Sequence, residues 1–206
     1  MSRNSYLLKL RRGLDQAITY GTKKEALSLA RQGLKRAEEK DLPGEIAYFK
    51  GQLEILKENF SSAIDYFDAA IKYNLHDGAA YNDRALCMVE LGIIDEAFYY
   101  FDKGIAVEPD YATIYHNKGW LLNNIGRHKE AIELFKKALA LDPKRPVTYD
   151  NLADALLNLG DYRGALAAYR KVLRLLKRGC CRQIRKEVTS QIRSLETRLA
   201  QEEYVS

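Results

Sequence analysis

The chain has 206 residues, 47% apolar and 30% charged, the balance of an ordinary globular protein and enough for one large or two small domains. No apolar run approaches the ~20 residues needed to cross a bilayer, and the opening MSRNSYLLKLRRGL lacks the continuous apolar core of a secretion signal, so a cytoplasmic location is expected. The net charge of +5 is unevenly spread: residues 1–43 carry 10 basic and 5 acidic side chains, 44–162 carry 12 and 19, and 163–206 carry 11 and 4, so the basic total is no reason in itself to expect nucleic acid.

In chain order, the first element is a degenerate helix pair over residues 1–43, marked by Gly21, Glu25, Ala26, Ala30 and Gly33 and followed by a short DLP insertion at 41–43. A regular pattern then begins. Ala63, Ala97, Ala131 and Ala165 are spaced 34 apart, and so are Phe67, Phe101, Phe135 and Tyr169. A third anchor is Ala70, Gly104, Ala138 and then Val172, while Gly92, Gly126 and Gly160 precede the set at one phase, with Glu58 and Asn59 at that point in the earliest copy.

The spacing i, i+4, i+7 puts Ala131, Phe135 and Ala138 on one helix face, where small residues admit a neighbouring helix and Phe135 fills the gap. Tyr115, Lys118, Gly119 and Leu122 begin the helix before it, and Gly126 permits the turn between the two. Four units are predicted, at 44–77, 78–111, 112–145 and 146–179, with Pro109 and Pro143 closing second helices. Beyond them Ile184, Val188, Ile192, Leu195 and Leu199 predict one basic amphipathic helix within 180–206, suited to cap the last unit.

Tyr115, Gly119, Leu122, Ala131, Phe135 and Pro143 together resemble the tetratricopeptide repeat family, with Tyr81, Tyr115 and Tyr149 in its Trp slot and Lys118 in its Leu slot. The resemblance implies an all-α, right-handed superhelical solenoid of about five antiparallel helix pairs plus the capping helix. It also implies that first helices line a concave groove. The groove residues expected on that basis are Tyr48 and Gln52, then Asn82, Asp83, Leu86 and Glu90, then His116, Asn117, Trp120 and Asn124, then Asp150, Asn151, Asp154 and Asn158.

Asn117 and Asn151 occupy one phase of successive units, as rungs of a short ladder for an extended peptide or as solvated amides. Trp120, the only tryptophan, is either a groove anchor or a packing residue between first helices. The acids among these positions favour a neutral or basic segment. Tyr48, Gln52, Asp83, Thr113 and Asn117 stand where a carboxylate clamp needs Lys and Arg, so acidic chaperone tails are not expected as ligands.

No phosphate loop, nucleophile elbow or zinc helix is present, and His76, His116 and His128 fall at unrelated phases, so they read as ordinary surface imidazoles. Neither catalysis nor a cofactor or metal is expected. Cys87 reads as core, and Cys180 with Cys181 as a junction pair or a reactive one. The expected function is a non-catalytic scaffold or adaptor that holds a partner's peptide in the groove. Two other readings are electrostatic binding of RNA, anionic lipid or an acidic partner by the basic ends, and self-assembly into a homo-oligomer through second-helix tyrosines such as Tyr73 and Tyr99.

Overall fold

The structure is a computed structural model that describes residues 5–176 and 181–205. The described residues form eleven helices, and the chain divides into two compact units, Met1–Asp110 and Tyr111–Ser206.

Unit 1 holds α1 (Ser5–Tyr20), α2 (Lys23–Glu39), α3 (Pro43–Ile55), α4 (Phe60–Tyr73), α5 (Gly78–Glu90) and α6 (Ile94–Val107). Each helix packs on the next up to α6. Local chemistry starts several of them: Thr22 and Glu25 form a reciprocal capping box on α2, Pro43 heads α3 with its fixed φ, and the Asp77 side chain caps α5. The DLP stretch is therefore a turn whose proline belongs to the following helix.

Unit 2 holds α7 (Ala112–Asn124), α8 (His128–Leu141), α9 (Pro146–Asn158), α10 (Tyr162–Leu175) and α11 (Arg182–Val205). Here too successive helices pack, and α7 also meets α9. Val188, Ile192 and Leu195 of α11 join Ala165, Tyr169 and Val172 of α10 in one core.

The repeat anchors are the core of both units. Ala63, Phe67, Ala97, Phe101, Ala131, Phe135 and Ala165 are wholly buried. Each large ring needs a small partner on the facing helix: a Cβ added to Gly51 would stand 2.8 Å from the Phe67 ring, and one on Gly119 3.0 Å from Phe135. Gly92, Gly126 and Gly160 have φ of 75°, 82° and 76°, and Glu58 takes the same left-handed turn at 66°.

In the degenerate pair, Ala30 leaves the large-residue slot of α2 empty of a ring. Phe49 of α3 supplies one instead, so close to Gly33 that an added Cβ would lie 2.2 Å from it.

Candidate functional site

The first helices of unit 1 bury three of the six side chains expected to face a ligand. Arg11 of α1 stacks 3.5 Å above the Tyr48 ring, donates from Nε to Glu45 at 3.0 Å and from Nη1 to Asp77 at 3.0 Å. Burial works against its charge, but Asp77, Tyr48 and Glu45 outweigh it and hold the guanidinium's pKa above its ordinary value. Beside this cluster, Gln52 Nε2 and Asn82 Nδ2 both donate to the Asp83 carboxylate. Burial pushes that carboxyl up to about 7, against the pull of the hydrogen bonds from Asn82 and Tyr48.

This corrects the sequence reading at three positions. Tyr48, Gln52 and Asn82 are buried side chains whose polar atoms are engaged inside unit 1, so they are not surface for a peptide. Asp83 and Leu86 are half-buried, and Glu90 is exposed.

Unit 2 differs. His116 is the exception to its openness: the ring is buried, its Nδ1 lies 3.0 Å from the hydroxyl of the fully buried Thr148, and it tilts against Phe135. Burial, then the neighbouring Arg145 charge, push its pKa down to about 3, so it is neutral at pH 7. Neither a groove position nor a surface imidazole describes it.

Asn117, Trp120, Asp150 and Asn151 are half-buried, while Asn124, Asp154 and Asn158 are exposed. All seven lie on α7 and α9, which pack against each other. Asn151 has no side-chain partner among the described residues. Asp154 accepts from the Tyr169 hydroxyl at 2.5 Å. Burial, followed by repulsion from Asp154 and Glu187, raises the Asp150 carboxyl to about 6.

Elsewhere, Cys87 is buried, which pushes its thiol up to about 12. Cys181 is half-buried, and Cys180 lies outside the described residues. Among the described residues no cluster of His, Cys, Asp or Glu is placed to hold a metal, and no helix is long and apolar enough to cross a membrane. Part of the C-terminal basic charge is structural: Arg185 donates to the Leu173 and Leu176 carbonyls at the end of α10, and Arg198 stacks 3.9 Å over Tyr162.

Sequence reasoning missed Arg11, Asp77 and Thr148. A signal for Arg11 was there: it precedes Tyr48 by 37 positions, in the column that continues at Asn82, His116 and Asp150 in steps of 34.

Three tetratricopeptide repeat models match the sequence, at residues 50–108, 112–145 and 134–167, between them more than half of the chain. The chain belongs to the tetratricopeptide repeat family. No curated protein matches the sequence. Among solved structures, a thermophilic tetratricopeptide repeat protein of Thermus thermophilus is similar at 20% identity, with 90% of this chain and 98% of that one covered and a TM-score of 0.72. MamA of Desulfovibrio magneticus is similar at 19% identity over 84% of this chain and 97% of that one, with a TM-score of 0.56. The tetratricopeptide repeat domain of Arabidopsis OM64 is 23% identical over 54% of this chain and 93% of that domain, with a TM-score of 0.51. At such identities these likenesses establish the shared fold. The repeats make this chain a protein-interaction scaffold in the general sense, on a fold that is typically non-catalytic.

Proposed function

We propose that the first-helix face of unit 2 holds an extended peptide segment of a partner protein. The observation that carries this reading is the contrast between the first helices of the two units. Tyr48 and Asn82 are buried inside unit 1, whereas Asn117, Trp120 and Asn151 keep accessible surface on the adjoining helices α7 and α9. An asparagine side chain both donates and accepts, which matches the alternating N–H and C=O groups of an extended backbone. Trp120 supplies apolar area for a partner side chain beside those amides.

Charge favours a neutral or basic segment. Asp150 and Asp154 stand on the same face, and an acidic ligand would add to the repulsion already felt by Asp150. In this reading the binding units are residues 112–145 and 146–179.

The test compares wild type with Asn117→Ala, Trp120→Ala, Asn151→Ala in a quantitative pull-down at low and moderate salt. A partner kept by wild type and lost by a variant that still melts as wild type is the expected result. The single tryptophan gives a direct readout, because a peptide seated on α7 changes the Trp120 emission. Partners that stay on both proteins but wash off with salt would assign the function to the basic ends instead.

A further inference from the structure

The outer face of α2, in unit 1, takes no part in the peptide reading and carries a surface of different character. Lys24, Leu27, Ser28, Arg31, Gln32 and Lys35 line an open hollow of about 570 Å³ along one face of α2. Gln32 and Lys35 also border a second hollow of about 310 Å³, with Tyr6, Arg36 and Glu39, so the surface runs on towards α1.

Helical spacing explains the arrangement. Ala26, Ala30, Gly33 and Ala37 are the buried residues of α2, whose packed neighbours are α1 and α3. Lys24, Ser28, Arg31 and Lys35 each precede one of those by two positions, a rotation of about 200°, so they form the opposite stripe. Leu27 is half-buried along it, and the other five lining residues are exposed.

The cations of the stripe are also unspent. Lys23 pairs with Glu58 at 3.6 Å and Arg36 with Glu39 at 2.9 Å, but Lys24, Arg31 and Lys35 have no ion pair among the described residues. Three positive charges without an ion pair therefore lie along one stripe with a leucine and the methylene stems of the lysines and arginine.

We infer that this face docks an acidic amphipathic helix of a partner protein. Its apolar side chains lie on Leu27 and the stems, and its carboxylates meet Lys24, Arg31 and Lys35. A leucine set along a stripe of like charge fits a helix with both kinds of side chain. A nucleic acid would satisfy the charges and leave Leu27 uncovered, and of the residues lining the two hollows Tyr6 alone offers a ring on which a base could stack. The inference is independent of the α7 and α9 site.

The probe is a synthetic acidic helix of roughly 15 residues, with leucines at i, i+3 and i+7 flanked by glutamates, titrated into the isotopically labelled full chain. Saturable amide shifts centred on Leu27 are expected. Affinity should fall about tenfold or more in Lys24→Glu, Arg31→Glu, Lys35→Glu, with the melting temperature kept. Leu27→Ala should weaken binding several-fold, and the Asn117, Trp120, Asn151 variant should bind as wild type does.

Absence of saturable binding up to about 1 mM overturns the inference, as do shifts centred on α7 and α9. Undiminished binding of a peptide whose leucines are replaced by alanine also overturns it, because the face would then read charge alone. Tighter binding of single-stranded RNA or of anionic vesicles reassigns the face to those polyanions. Self-association that the three charge reversals abolish reassigns it to a second copy of this chain.

Discussion

Arg11 and Asp77, 66 positions apart, meet as a buried pair, with Nη1 and Nη2 of the guanidinium 3.0 and 2.9 Å from the two carboxylate oxygens. Both side chains are almost wholly enclosed, and Asp77 also caps α5. Removing one partner strands the other charge away from water. Arg11→Ala is expected to destabilise unit 1 by about 3–5 kcal/mol, read from urea unfolding. Arg11→Lys should recover little of that, because an ammonium can neither bridge two oxygens in a fork nor lie flat on Tyr48. A loss below about 1 kcal/mol, the range of an exposed pair, would show that the pair is open to solvent.

Asp83 and His116 impose opposite pH dependences. The Asp83 carboxyl titrates near 7 when folded, above its ordinary 3.8, so the folded state retains a proton that the unfolded chain releases. Its contribution to stability falls as pH rises from about 4 to about 7. His116 titrates near 3 when folded, below its ordinary 6.5, so its contribution is complete above 6.5 and is lost as pH falls towards 3. Unfolding midpoints between pH 4 and 8 are expected to show Asp83→Asn gaining on wild type as pH rises, and His116→Gln losing less than wild type as pH falls. Parallel curves for a variant and wild type would remove that residue from the account.

The Phe49 ring leaves no room for a side chain at position 33. Gly33→Ala should cost about 1–3 kcal/mol through overpacking between α2 and α3. Adding Phe49→Leu should cancel part of that loss in a double-mutant cycle, since the two substitutions share one contact. Strict additivity would mean that the ring moves aside freely.

Glu58 and Gly126 adopt the same left-handed turn, yet only one of them is a glycine. Glu58→Gly is expected to stabilise by up to about 1 kcal/mol, relieved Cβ strain outweighing added chain entropy in the unfolded state. Its exposed contact with Lys23 adds little to retain. Gly126→Ala should destabilise by about 1 kcal/mol through φ alone, because an added Cβ there meets nothing within 4 Å. Thermal melts of the two variants should therefore shift in opposite directions.

The repeat was legible because its determinants are local and periodic. Ala131, Phe135 and Ala138 share a face by helical geometry, and Gly126 fits a turn that most residues resist. The candidate site was legible only in part. Asn117, Trp120 and Asn151 keep accessible surface, but Tyr48, Asn82 and His116, which share one phase of successive units, do not. That column points between neighbouring helices, so its exposure depends on what arrives from elsewhere in the chain.

The sequence by itself determined an array of helix pairs, its phase, its turns and the rings that fill it, since each follows from spacing within a few helical turns. The tertiary structure decided which polar residues were spent inside the array. Arg11 covers Tyr48 and reaches Asp77, and Thr148 meets His116 across 32 positions. A buried polar group needs a partner wherever the chain can bring one, and no periodicity encodes pairings over such separations.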